Sequence, residues 1–174
     1  MKQLFCLMVM ILVLFSNSEV PASEDPRTYL ENTPELQSTL NSVNSKWNNQ
    51  ITQITDLEHY GKREFWTFPQ DDKGDCEDHA IPKKQALEKL GIQSFFAECK
   101  TETGRKHIVL MVFTKSGAFV LDNRRKVVIL AKYTGYEWLK IQFPGDVWRS
   151  YETNQIVRPP KGYVQYKKRT SKEL

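Results

Sequence analysis

The sequence predicts an α+β domain in which N-terminal helices pack on an antiparallel sheet. In the first half of the chain, apolar residues recur every three or four positions, which is the period of an amphipathic helix. After Gly91 the pattern changes to β-branched and aromatic runs separated by turn residues, which is typical of successive strands. The chain has 174 residues, of which 40% are hydrophobic, enough for the core of one ordinary domain.

Residues 1–22 have the layout of a secretory signal peptide. Lys2 supplies a positive charge, an apolar run extends from Leu4 to Phe15, and the stretch ends in Val20-Pro21-Ala22. The run is shorter than the roughly 20 apolar residues that a membrane span requires; an uncleaved N-terminal anchor is the alternative. We therefore expect residues 23–174 to form a single domain that works in the periplasm or outside the cell.

The first helix is predicted to begin at Thr33, which can act as N-cap, with Pro34 at the first helical position. Apolar residues then recur at helical spacing from Leu36 to Leu57. This stripe predicts one long amphipathic helix, which Gly61 would end.

The second helix is predicted from Cys76 to Leu90, with Gly91 as its end and Pro82 as a kink within it. An antiparallel meander is predicted to follow, with a last strand or two between Tyr136 and Tyr151. Its earlier strands are Ile92–Cys99, His107–Thr114, Ala118–Asp122 and Lys126–Ala131.

Charge and cysteine content narrow the possible functions. The net charge is only +4, and the basic residues are scattered except in the C-terminal tail, so the sequence does not indicate nucleic-acid binding. Beyond the predicted signal peptide, Cys76 and Cys99 are the remaining cysteines. In an oxidising compartment they could form a disulfide. That alternative would make the domain a non-catalytic module that binds calcium or a partner.

Cys76 opens the second helix, and this position indicates a reactive thiol. The free N–H groups and the dipole of a helix N-terminus favour the thiolate. His107 opens a strand and Asp122 closes the next one, so a hairpin would place both on one face of the sheet, about 7–8 Å apart as diagonal neighbours. This arrangement predicts a triad of Cys76, His107 and Asp122. His79, one helical turn after Cys76, is also placed to approach the sulfur.

An acidic cluster surrounds the cysteine, and negative charge raises the pKa of a nearby thiol. A calcium ion would offset that charge, because it binds carboxylate and carbonyl oxygens. A solvated acidic loop is the alternative. The cluster consists of Asp71, Asp72, Asp75, Glu77 and Asp78.

These motifs resemble the bacterial transglutaminase-like cysteine peptidases over residues 43–151. The resemblance implies a papain-like or transglutaminase-like fold, with Cys76 as nucleophile, His107 as general base and Asp122 as the residue that orients it. The matching segments are Asp56, Glu64-Phe65-Trp66, Gly74-Asp75-Cys76-Glu77-Asp78, His107-Ile108-Val109-Leu110, Val120-Leu121-Asp122-Asn123 and Tyr136-Glu137-Trp138.

The resemblance also implies calcium dependence. Asp75 and Glu77 match the family's calcium-binding carboxylates, Asp56 is placed to supply a further ligand, and Asp78 is an additional candidate. The implied function is that of an exported calcium-dependent cysteine endopeptidase with a protein substrate, such as a surface adhesin, and an inner-membrane receptor as a further partner.

Three points stay open at the level of sequence. Trp66 is a candidate for lining the substrate groove, with a place in the core as the alternative. The same triad could transfer an amide to an amine acceptor, as a transglutaminase does, because a fold does not settle the reaction. A monomer is the default oligomeric state.

Overall fold

The computed structural model describes residues 27–170 and shows an α+β domain. The predicted signal peptide, residues 1–22, lies outside the described residues. The helices are α1 (Pro34–Gln50), α2 (Asp56–Tyr60), α3 (Cys76–Lys89) and α4 (Tyr163–Thr170). The strands are β1 (Thr52–Gln53), β2 (Lys73–Gly74), β3 (Phe95–Lys100), β4 (Lys106–Thr114), β5 (Gly117–Leu121), β6 (Ile129–Leu130), β7 (Glu137–Phe143) and β8 (Val147–Ser150). Between residues 27 and 170, no helix combines the length and the apolar character needed to cross a membrane.

The main sheet has six antiparallel strands in the order β6-β5-β4-β3-β7-β8. The predicted simple meander is therefore wrong at one point, because β7 pairs with β3 and not with β6. The composition of β3 explains this difference. Five of its six residues are buried, and an edge position would leave both their apolar side chains and their backbone groups exposed.

The predicted first helix is interrupted. Helix α1 ends at Gln50, and the next residues form β1, which pairs in parallel with β2. The N–H groups of Thr52 and Ile54 bind the carbonyls of Asp72 and Gly74, at 2.8 and 3.0 Å. These tertiary hydrogen bonds replace the helical ones and end α1. The apolar residues keep their helical spacing beyond this point, although the backbone is no longer helical. Helix α2 then starts with a new capping box and ends at a glycine, as the sequence indicated.

Helix α3 confirms the predicted second helix almost to the residue. It packs on α1 and on β4, and its buried face joins the apolar residues of the sheet. The core on this face includes Leu40, Val43, Ala80, Ile81, Leu87, Phe96, Ile108, Leu110, Val112, Phe119 and Leu121. The alternate residues of the same strands form a second apolar cluster on the other face, with Phe95, Ala97, Cys99, Val109, Met111, Phe113 and Val120.

The loop between β5 and β6 is held by side chains of α1. Asn48 donates to the carbonyls of Asp122 and Arg125, at 2.9 and 3.0 Å, and Asn44 donates to Arg125 at 2.9 Å. Because these backbone groups are bound to a helix, they are not available to a neighbouring strand. The predicted strand 126–131 is reduced to the two residues of β6, because the N–H of Val128 donates to the side chain of Asn41 in α1, at 2.8 Å, and not to a strand.

Trp66 belongs to the core, so its predicted place in a substrate groove is wrong. Its side chain is fully buried, with ring centroids 5.3 Å from Phe96 and 5.2 Å from Tyr163. Helix α4 packs on this ring through Tyr163 and Tyr166. Burial of a side chain this large contributes to stability and leaves no surface for a ligand.

Candidate active site

The chain enters α3 through a glycine that has no room for a side chain. A Cβ atom on Gly74 would lie 2.4 Å from the Cβ of Asp78. This close approach, together with the pairing of β1 and β2, fixes the start of α3. The Sγ of Cys76 lies 3.4 Å from the backbone nitrogen of Ile108, which donates to it, and its thiol donates to Glu77 Oε2 at 3.2 Å.

His107 and Asp122 form a buried pair. Extending the pairing of Leu110 with Leu121 places Asp122 opposite Val109, two residues after His107. The two are therefore the diagonal neighbours that the sequence predicted. His107 Nε2 lies 2.8 Å from Asp122 Oδ1, and the two side chains are 6% and 0% exposed. Because Nε2 faces the carboxylate, Nδ1 is the ring nitrogen left for a thiol proton.

Asp122 is held as a carboxylate in spite of its burial. Tyr136 donates its hydroxyl to Oδ2 at 2.7 Å, and the backbone nitrogen of Arg124 donates to Oδ1 at 2.9 Å. Burial by itself acts to raise the pKa of Asp122, but the hydrogen bonds from His107, Tyr136 and Arg124 outweigh it and lower the pKa to about 2. The site therefore carries a fixed negative charge behind the imidazole.

Cys76 and His107 line the same open groove, of about 690 Å³. His79 does not line it. The His79 ring is buried in α3, neither ring nitrogen has a hydrogen-bond partner within the described residues, and burial lowers its pKa to about 4. Of the two histidines that sequence placed near the sulfur, the groove contains His107. The wall also includes Gln53, Thr101, Thr103, Arg105, Asn123 and Arg124.

The four predicted metal ligands meet beside the thiol. Ligand atoms of Asp56, Asp75 and Asp78 all lie within 4.8 Å of one another, and so do those of Asp75, Cys76 and Glu77. Asp75 belongs to both groups and connects them. Each of the four carboxylates also has one buried oxygen without a hydrogen-bond partner in the described part of the chain.

This cluster fits a hard cation such as calcium, which takes oxygen ligands from carboxylates. Burial raises the pKa of Asp56 to about 6 and that of Asp78 to about 8, and burial together with Asp75 raises the pKa of Glu77 well above its ordinary value. Such shifts show that the site does not stabilise its own negative charges. A bound cation would do so.

The surroundings of Cys76 also disfavour its negatively charged form, the thiolate. Burial raises the pKa of Cys76 well above its ordinary value, and the charges of Glu77 and Asp75 raise it further. The N–H of Ile108 acts in the opposite direction but is outweighed. The thiolate thus needs charge compensation that the nearby residues do not supply.

The alternative Cys76–Cys99 disulfide is not formed. Both cysteines are free. Cys99 belongs to the apolar cluster on the sheet face opposite α3, and its thiol lies 3.6 Å from the carbonyl oxygen of His107. Cys99 is fully buried, whereas Cys76 lies at the groove and is partly exposed.

A helix-borne cysteine beside a strand-borne histidine that is bound to an aspartate is the arrangement of a cysteine peptidase of papain-like or transglutaminase-like fold. The chain belongs to the bacterial transglutaminase-like cysteine proteinase (BTLCP) family, whose sequence profile matches residues 15–156. It is thus a cysteine peptidase, and the predicted family and fold class are confirmed. Because this is a family of proteinases, hydrolysis is favoured over amide transfer.

Structures of Legionella pneumophila LapG share the fold. Calcium-bound LapG aligns with a TM-score of 0.64 at 23% identity, over 80% of this chain and 82% of LapG. EGTA-treated LapG gives 0.63 at 23% identity, over 80% and 81%. A further LapG structure gives 0.58 at 24% identity, over 70% and 72%. No curated protein matches the sequence.

Two features of the site escaped the sequence reasoning. The sequence marks Tyr136 only as part of a matching segment, and its hydrogen bond to Asp122 depends on how the 14 residues after Asp122 fold back on the sheet. Asn48 comes directly after Trp47, which belongs to the apolar face of α1. Its hydrogen bond to the Asp122 carbonyl could not be predicted without knowing how α1 packs on the sheet. The sequence signal that could have indicated this contact is the presence of asparagines beside the apolar face of a helix.

We expect alkylation to distinguish the two thiols. Cys76 is partly exposed and Cys99 is fully buried, so at alkaline pH, where the Cys76 thiolate forms in spite of its raised pKa, iodoacetamide should label Cys76 in the native protein and Cys99 only after denaturation, in both cases without reductant. Peptide mass spectrometry of the labelled protein measures this. Recovery of both cysteines only after reduction would show a disulfide and contradict the structure.

Proposed function

We propose that this protein is an exported, calcium-dependent cysteine endopeptidase in which Cys76 is the nucleophile, His107 the general base and Asp122 the residue that orients the base. The observation that supports these roles is the His107–Asp122 hydrogen bond, 2.8 Å long and buried, at the groove that also contains Cys76. The family gives the reaction class, and the geometry supports the proposed assignment of residues.

The proposed reaction begins when His107 Nδ1 takes the thiol proton of Cys76 and the thiolate attacks a peptide carbonyl. The N–H groups of the first turn of α3, which have no partner within the helix itself, would stabilise the resulting oxyanion. His107 then gives its proton to the leaving amine, which breaks the peptide bond and leaves a thioester on Cys76. Water, deprotonated by His107, hydrolyses the thioester and returns the free thiol.

Substitutions of the triad test this assignment. We expect Cys76→Ala to abolish cleavage of a fluorogenic peptide library, and Asp122→Asn to lower kcat by roughly 10²–10⁴, because the imidazole loses its orienting charge. Cys99→Ala is the matched control, since it removes the other thiol without touching the groove, and it should keep its activity.

Activity retained in Cys76→Ala, with the melting temperature unchanged, would refute the nucleophile assignment. A labelled primary amine added to the reaction separates the two reaction types. Incorporation of the amine into protein in place of cleavage would show amide transfer.

Asp56, Asp75, Glu77 and Asp78 are the residues proposed to hold calcium. The unpartnered buried oxygens of all four and the raised pKa values of Asp56, Glu77 and Asp78 provide the argument from this chain, and the calcium-bound form of LapG provides the analogy. When bound, the ion would supply positive charge beside the thiol. The residues themselves do the positioning: Asp78 Oδ1 accepts from the backbone of Thr67 at 3.0 Å, and Asp56 accepts from the backbone of Phe65, so the same carboxylates fix the loop before α3.

The stabilising effect of calcium should increase with pH. The folded metal-free protein holds a proton on Asp78 up to a pKa of about 8, whereas the ordinary value is 3.8, so the folded state binds more protons than the unfolded state between these values. The free energy of unfolding of the metal-free protein therefore falls as pH rises through this window. Asp56, with a pKa of about 6, contributes in the lower part of it.

Differential scanning fluorimetry with calcium or with EGTA, from about pH 5 to about pH 8, measures this dependence. The gain in Tm caused by calcium should be small at the acid end and large at the basic end. Asp78→Asn is the matched control, because it keeps the amide oxygen for Thr67 and removes the titrating group. A calcium-induced gain in Tm that is the same at every pH would contradict the site.

We further propose that the protein works in the periplasm or outside the cell, cleaves a protein substrate such as a surface adhesin, and is bound by an inner-membrane receptor. The composition of residues 1–22 supports export, and the family supports a protein substrate. The adhesin and the receptor are suggested by the resemblance to the bacterial family.

Cell fractionation tests the location. We expect the protein to be released with the periplasmic contents or the medium, with an N-terminal peptide that begins near Ser23. Mass spectrometry of that peptide identifies the start of the mature chain. Recovery of the intact N-terminus in the membrane fraction would show an uncleaved anchor, and recovery in the cytoplasm would refute export.

A further inference from the structure

Tyr136 lies immediately behind the His107–Asp122 pair. Its hydroxyl donates to Asp122 Oδ2 at 2.7 Å, and its ring meets the His107 ring edge to face, with centroids 6.1 Å apart. The residue is 8% exposed and is absent from the wall of the groove. Tyr136 thus contacts both members of the pair from the side away from substrate.

Arg124 and Glu102 hold the tyrosine in turn. Arg124 donates one guanidinium nitrogen to the Tyr136 hydroxyl oxygen at 3.0 Å, and its guanidinium binds the carboxylate of Glu102 at 2.6 and 3.2 Å. Because the hydroxyl accepts from Arg124, its proton is directed to Asp122. The contacts form a continuous chain from the exposed Glu102 through Arg124 and Tyr136 to Asp122 and His107.

We propose that Tyr136 is a positioning residue for the catalytic pair, and that Arg124, fixed by Glu102, sets the direction of its hydroxyl proton. This proposal rests on the proposed function, because it assigns Tyr136 a role in orienting the general base.

The two oxygens of Asp122 explain why a donor is needed there. Oδ1 receives hydrogen bonds from His107 and from the backbone of Arg124, whereas Oδ2 receives one from the Tyr136 hydroxyl. Without that hydroxyl, Oδ2 loses its hydrogen-bond donor and keeps only the ion pair with Arg125 Nε at 3.9 Å, so the carboxylate gains freedom to rotate away from the imidazole. The imidazole would then be less well directed at the thiol. Substrate binding should be unaffected, because Tyr136 does not line the groove.

Tyr136→Phe is the decisive variant, and Tyr163→Phe is its matched control. Tyr163 is also buried, and its hydroxyl also donates to an aspartate, Asp146 at 2.6 Å, but it packs on Trp66 and Trp148 and not on the triad. We expect Tyr136→Phe to lower kcat about tenfold or more with KM within about twofold. Tyr163→Phe should lose a similar hydrogen bond and similar stability while keeping its kcat.

A proton NMR spectrum gives a readout that does not depend on peptidase activity. The His107 N–H that is bonded to Asp122 should give a resonance downfield of the amide region. We expect this resonance to shift or broaden in Tyr136→Phe and to stay unchanged in Tyr163→Phe. A shifted resonance in a protein whose Cys76→Ala variant is still active would uphold the Tyr136 contact and refute only the proposed function.

Arg124→Gln provides a second variant in case Tyr136→Phe does not fold. Arg124 is partly exposed, and its backbone N–H to Asp122 remains in the variant. A smaller fall in kcat, about threefold, with the same shift of the His107 resonance is expected. A kcat within twofold of wild type in both variants, or an equal loss in Tyr163→Phe, would overturn the proposal.

Discussion

The site depends on the packing of α3 against β4. This contact brings the thiol of Cys76 to the N–H of Ile108, one residue after His107, although the two segments are 32 residues apart in sequence. The apolar residues on the inner faces of α3 and β4 supply the free energy that holds the contact, so the placing of Cys76 beside the first residues of β4 is a property of the core. A rigid helix and a central strand keep the reacting atoms in place more reliably than loops would.

The acidic groups on the two sides of this contact have opposite electrostatic environments. The carboxylate of Asp122 is fully provided with donors, whereas the carboxylates beside Cys76 are buried with oxygens that lack partners. The hydrogen bonds of the chain itself stabilise the Asp122 carboxylate. The carboxylates beside Cys76 would need a bound cation to be stabilised as anions. In the proposed function, the base would thus be oriented at all times, and the thiol of Cys76 would be the group that calcium controls.

Local patterns predicted α3, the hairpin that pairs His107 with Asp122, and the acidic cluster, because each depends on periodicity or on neighbours in sequence. The interruption between α1 and α2 was not predictable, since Ile51, Ile54 and Leu57 continue the helical stripe and only the carbonyls of residues 72 and 74 end it. The same holds for Trp66 and Tyr136, whose positions are decided by partners distant in the chain. Aromatic residues near a motif indicate proximity to the site but do not say whether they face the core or the groove.

The way α1 holds the loop after β5 affects which residues of the groove wall can be substituted among relatives. Asn44 and Asn48 bind main-chain carbonyls at residues 122 and 125, so the anchorage is indifferent to the side chains that the loop carries. Asn123, on the wall of the groove, donates to Gln53 Oε1 at 2.7 Å, so a substitution there changes a contact within the wall and leaves the main-chain anchorage of Asp122 in place. Relatives built on this plan could acquire new preferences for the polypeptide they cut through substitutions here, while the chemistry stays intact.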